Sequence, residues 1–222
     1  MAKRERAGQC ALCGESCAVT REHVPPKNLF LSPRPTNTIT VPVCERCNYG
    51  YHLDDEYFRV YVASGAEPGT RQRRLWKEKV VGSSFARGEG LKGRLNDDRR
   101  LVVQHHQNVE PLRTFEDQVV NERLLPQIHA FDALRINAVV EKIVRCLHFF
   151  LEGRPLPHST ELEVDSSPLE DADLYALFER RTGYVGDHDE FIFRREHSEP
   201  TGCRWMLSFY VVHTFSVYVH AS

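Results

Sequence analysis

Apolar residues keep helical spacing over one long stretch of the chain. Ile136, Val139, Val140, Ile143, Leu147 and Phe150 form a stripe between about Phe131 and Leu151, and Gly153 with Pro155 stops it. A second helical pattern starts at Asn48 and carries Leu53, Tyr57, Val60 and Tyr61. Residues 18–24 and 38–43 are short, partly β-branched and alternating, so they predict two strands, and Pro25-Pro26 ends the first. Pro33 and Pro35 make residues 27–36 a loop. Ser167-Pro168-Leu169-Glu170 reads as a capping box with proline at the first helical position, opening a helix to about Arg181. Phe191-Ile192-Phe193, Trp205 to Val212 and Phe215 to Val219 predict an antiparallel sheet. Leu101-Val102-Val103 predicts a short strand, residues 64–69 a turn, and residues 1–9 a frayed, polar end. The pattern is that of an α+β protein. A small N-terminal module covers 1–64, and a mixed helical and antiparallel-sheet domain covers 65–222.

Cysteine spacing changes this picture most. Cys10 and Cys13 form one Cys-x-x-Cys pair, and Cys44 and Cys47 form a second. Four thiolates in two such pairs fit a structural, tetrahedral Zn²⁺. The predicted strands lie between the pairs and the predicted helix follows them, so one metal would close a ββα unit. Of the seven cysteines, Cys146 and Cys203 lie in apolar segments and read as core, and Cys17 is an alternative ligand. A zinc held by four thiolates has no open position for water, so any chemistry must sit beside it.

The overall charge adds little. A net charge of −2 does not mark the whole chain as a nucleic-acid binder. Residues 71–100 do carry a local excess of cations. Arg71, Arg73, Arg74, Lys77 and Lys79 open that run and are candidate phosphate contacts. No apolar run approaches the roughly 20 residues that span a bilayer. The charged start has no apolar segment behind it, so a cytoplasmic location is expected, with no membrane partner. Oligomeric state is not legible.

Glu22-His23-Val24-Pro25-Pro26, then Asn37, then Cys44-Glu45-Arg46-Cys47-Asn48 resembles the HNH endonuclease motif in its zinc-stapled ββα-metal form. The resemblance covers residues 10–58. It implies a metal-dependent endonuclease that hydrolyses phosphodiester bonds in nucleic acid, DNA in preference to RNA. His23 would be the general base, suited by an imidazole pKa near neutrality. Glu22 and Asn48 would hold a divalent cation, Mg²⁺ or Mn²⁺, that stabilises the leaving oxygen. His52, one helical turn beyond Asn48, would join or replace it. Asn37 would orient His23 through a loop hydrogen bond. The Asp54-Asp55-Glu56 cluster reads as a charged first helical turn. The rival from another class is a non-catalytic zinc module that binds nucleic acid or a protein.

Overall fold

Alternating burial organises the first sheet. In β3 (Ile39–Cys44) Ile39, Val41 and Val43 are buried while Thr40 is exposed. The same alternation in β2 (Ser16–Val24) buries Glu22 and Val24 and leaves Arg21 in solvent. The two strands pair antiparallel, with Glu22 opposite Val41 and His23 opposite Thr40. Pro42 is tolerated because β3 is an edge strand. Its carbonyl accepts from the Ala11 N–H at 2.8 Å. This computed structural model describes residues 6–64, 66, 68–85, 131–187, 190–198 and 202–220.

The expectation of a frayed start is corrected from residue 6 onward. Arg6–Gln9 forms β1 and pairs antiparallel with β2. Backbone bonds, not apolar side chains, carry that pairing. Gly8 permits the close approach, since a Cβ there would lie 3.1 Å from Val19 Cγ2. Helix α1 (Glu45–Gly50) starts directly after β3, with Cys44 as its N-cap. Helix α2 (His52–Ala63) follows after Tyr51. Asn48 therefore lies within α1 and not at the first helical position expected for it.

The chain packs as two compact units. One comprises Met1–Asp55 with Asn137–Ser222, and the other Glu56–Ile136. Within the second, α3 (Arg71–Leu75) is capped by Thr70, whose hydroxyl accepts from the Arg73 N–H at 3.1 Å. A π-helical segment, Trp76–Phe85, continues it. Gln72 is buried and donates to the carbonyls of Val62 and Ser64. Phe131 meets Tyr57 and Tyr61 edge-on. The expected strand at 101–103 and most of the cationic run beyond residue 85 lie outside the described residues.

Helix α4 (Ala133–Glu152) is the long helix of the apolar stripe. Ile136, Val139, Val140, Ile143, Val144 and Leu147 are buried. Phe150, expected in that stripe, is 48% exposed, so the stripe ends one turn earlier. Gly153 closes the helix at φ 70°, a conformation that favours glycine, and donates to the Phe149 carbonyl.

The second sheet has five antiparallel strands in the order β4-β8-β7-β6-β5. They are β4 (Leu162–Asp165), β5 (Gly183–Val185), β6 (Phe191–Ser198), β7 (Gly202–Phe209) and β8 (His213–His220). The strand expected to run on to Val212 ends at Phe209. Tyr210 and Val211 turn with positive φ, and Phe209 pairs with His213. Helix α5 (Asp171–Glu179) begins three residues later than the capping box predicts. Leu169 is buried with Leu177, Ile192 and Met206, and its N–H goes to the Thr214 hydroxyl at 3.3 Å. Burial of Leu169 thus outcompetes the local helix start. Among the described residues, no helix is long and apolar enough to cross a membrane.

The five-stranded sheet holds the loop that follows His23 at two points. The Tyr210 hydroxyl donates to the Leu29 carbonyl at 2.6 Å, and that bond is buried. Asn37 donates to the Tyr184 carbonyl and accepts from the Gly186 N–H. Tyr210→Phe removes one hydrogen bond and leaves a buried carbonyl unpaired. We expect a loss of about 1 kcal/mol of stability, read as a lower urea midpoint. An unchanged midpoint would mean that this contact does not hold the loop.

Candidate zinc centre and adjoining histidine site

The two strands and the start of α1 bring all four expected cysteines together. The ligand sulfurs of Cys10, Cys13, Cys44 and Cys47 lie within 4.8 Å of one another. Cys13 Sγ is 4.0 Å from Cys44 Sγ. Sulfurs about 2.3 Å from a tetrahedral Zn²⁺ stand about 3.8 Å apart, so this cluster is consistent with a structural Zn²⁺. Backbone N–H groups support the thiolates. Cys44 N donates to Cys10 Sγ at 3.3 Å, and Cys47 N donates to Cys44 Sγ at 3.5 Å. Burial works to raise the Cys44 thiol pKa, but the Cys47 N–H and the neighbouring sulfurs outweigh it and bring it down to about 7. Cys17 is not one of the four gathered sulfurs; its thiol points at the Glu15 carbonyl, and the neighbouring Cys44 helps to raise its pKa after burial. Cys146 is fully buried, as expected of core. Cys203 is only partly buried. Among the described residues, no other group of three or more His, Cys, Asp or Glu ligands is gathered in this way.

His23 and Glu22 are neighbours on β2, so their side chains leave the strand on opposite faces. His23 is partly buried near the end of the strand. Partial burial, then the positive charge of Lys27, holds its imidazole below the ordinary value, with Arg34 and Arg21 adding to the effect and Glu22 opposing it. Both burial and the nearby cations thus favour the neutral ring.

The other residues implied by the resemblance are engaged elsewhere. Glu22 accepts from Lys142 Nζ at 2.7 Å. The Asn48 amide donates to the Thr20 hydroxyl at 3.0 Å. His52 is exposed, stacked on Tyr49, with Nδ1 2.7 Å from the Tyr49 carbonyl. With Lys142 on its carboxylate, Glu22 does not fit a divalent cation in this arrangement. Asn37 has both ends of its amide on the backbone of residues 184 and 186, in place of the expected bond to His23. The alternation of β2 carries the Glu22 carboxylate away from the His23 face, and the C-terminal sheet captures Asn37.

Lys142 and Asp55 are the residues that sequence reasoning missed. Lys142 projects from α4, with a side chain only 2% exposed. Its Nζ lies 2.8 Å from both Asp55 oxygens as well as 2.7 Å from Glu22. The Tyr51 ring lies 5.3 Å away. Burial works to lower the Lys142 pKa, but the two carboxylates overcome it and keep the ammonium charged. Burial raises Asp55 to about 6 against the pull of Lys142, so its carboxylate is still ionised at neutral pH. A sequence signal did exist. Lys142 falls between Val139 and Cys146 on the apolar stripe, and a cation there requires buried anionic partners.

Arg71, Arg73, Arg74, Lys77 and Lys79 lie on α3 and the π-helical segment. Arg74 is exposed and pairs with Glu78 at 3.6 Å. No protein family, characterised relative or solved structure matches the chain.

Proposed function

We propose that this protein hydrolyses phosphodiester bonds in nucleic acid, DNA first, with His23 as general base. The observation that carries the reading is a partly buried imidazole whose pKa is lowered by burial and by the charges of Lys27, Arg34 and Arg21, on a strand of the sheet that also carries a zinc-type cysteine cluster. A neutral imidazole can accept a proton, and the cations can take phosphate oxygens. Water oxygen bonds to phosphorus while its proton passes to His23. The bond from phosphorus to the leaving sugar oxygen breaks, and that oxygen takes a proton from the imidazolium or from solvent. Mg²⁺ or Mn²⁺ held through Glu22 does not fit the Lys142 contact described above, so no step is routed through one.

A second reading is favoured by one observation. Lys142 already neutralises Glu22, which suits a non-catalytic zinc module that binds nucleic acid. The two readings part in a cleavage assay. Zinc-loaded protein is incubated with plasmid, linear duplex, single-stranded DNA and RNA, with and without added Mg²⁺. Cleavage of any substrate that is lost in His23→Ala supports the hydrolase. Binding without cleavage of any substrate gives the module reading its place.

Under either reading we expect the cationic segment to contribute affinity. Replacing Arg71, Arg73 and Arg74 with Ala should weaken DNA binding and lower the salt slope by about 0.9 per lost phosphate contact. An unchanged dissociation constant and slope would make this segment an ordinary solvated surface.

A further inference from the structure

We propose that the Lys142 ammonium is an internal cation. It holds the Glu22 carboxylate, which the HNH resemblance would give to a divalent ion, and ties it to Asp55. The inference takes its choice of ion from the proposed function but does not need cleavage to occur. An ammonium has three N–H donors. Three carboxylate oxygens receive Lys142 Nζ: Glu22 Oε1 at 2.7 Å and Asp55 Oδ1 and Oδ2 at 2.8 Å each. The Lys142 side chain is 2% exposed, and those of Glu22 and Asp55 are 11% and 14% exposed. Such a group does not swing into solvent, because α4 carries it among the buried Val139, Ile143 and Cys146.

A divalent ion cannot share this space. It would meet a positive charge within hydrogen-bonding distance of the same oxygens, in surroundings that screen poorly. The ammonium therefore does the mechanical part of a metal's task, joining β2 to α2 at the residue next to His23. It cannot touch a substrate phosphate, because it is enclosed. Lys142 is thus a positioning residue.

Mn²⁺ binding to the full-length, zinc-loaded chain tests this, followed by the loss of the free Mn²⁺ paramagnetic resonance signal. We expect no Glu22-dependent binding by the parent at millimolar Mn²⁺. Lys142→Met keeps the length of the side chain and removes its charge. It should gain one Mn²⁺ with a Kd on the order of 10⁻⁴–10⁻³ M, as at weak carboxylate sites. Adding Glu22→Gln to Lys142→Met should abolish the gain. A folded Lys142→Met that gains no Mn²⁺ overturns the proposal. So does a parent that binds one Mn²⁺ and loses it in Glu22→Gln. Where Lys142→Met does not fold, the parent and Glu22→Gln titrations decide alone. Glu22-dependent binding by the parent overturns the proposal, and its absence supports it. Because the readout is binding, failure here is distinct from failure of the proposed hydrolysis.

Discussion

Cys44→Ser should unfold the N-terminal sheet and not merely weaken it. Cys44 has three tasks in one residue. Its sulfur is a member of the four-cysteine cluster, it caps α1 by accepting from the Cys47 N–H, and its own N–H supports Cys10. Structural zinc in small modules supplies apparent binding free energies of about 10–16 kcal/mol at pH 7. A whole domain has only about 5–15 kcal/mol of stability. Losing one of four thiolates forfeits a large part of the first figure, which is comparable to the second. The parent should contain one zinc per chain by elemental analysis of reduced protein. Cys44→Ser should contain much less and lose its cooperative thermal transition or show it at much lower temperature. Cys17→Ser is the control, since Cys17 lies outside the cluster. It should keep both zinc and transition. A parent purified without zinc, yet folded, would remove the metal from the account of this fold.

What was legible in the sequence is what depends on short spacing. The two Cys-x-x-Cys pairs announce themselves because thiolates close together on tight turns have few other uses in a reduced setting. The long helix is legible from its own period, and Gly153 marks its end. The strands near residues 18–24 and 38–43 appear where alternation and prolines place them. Pairings across long sequence distances were not legible. Lys142 is 120 residues from Glu22 and 87 from Asp55. Asn37 is 147 residues from Tyr184. No local pattern states those partners, and so Asp55 read as a helix-end charge and Asn37 as a loop residue aimed at His23. Strand β1 escaped for a different reason. It carries no large apolar side chain, and an edge strand forms through backbone bonds that periodicity does not report.

These long-range contacts determine how the histidine site is to be tested. The loop after His23 is pinned by Tyr210 and Asn37. Behind the strand, Glu22 is pinned by Lys142. Truncating the partly exposed imidazole removes none of these supports, so His23→Ala should keep its zinc, its fold and its affinity for nucleic acid. We expect its cleavage rate to fall by about 10²–10⁴-fold, the usual cost of losing a general base. The pH profile separates that role from a structural one. The His23 pKa is held below its ordinary 6.5, and only the neutral ring accepts a proton. The rate should therefore rise with pH through a value below 6.5 and then level. Lys27 is the leading charge that depresses this pKa. Lys27→Ala should move the rise to higher pH, whatever it does to the maximal rate. A structural histidine would leave the position of the rise unchanged. If His23→Ala cuts as fast as the parent, the cationic surroundings of this ring serve binding alone, and the zinc module is a nucleic-acid reader.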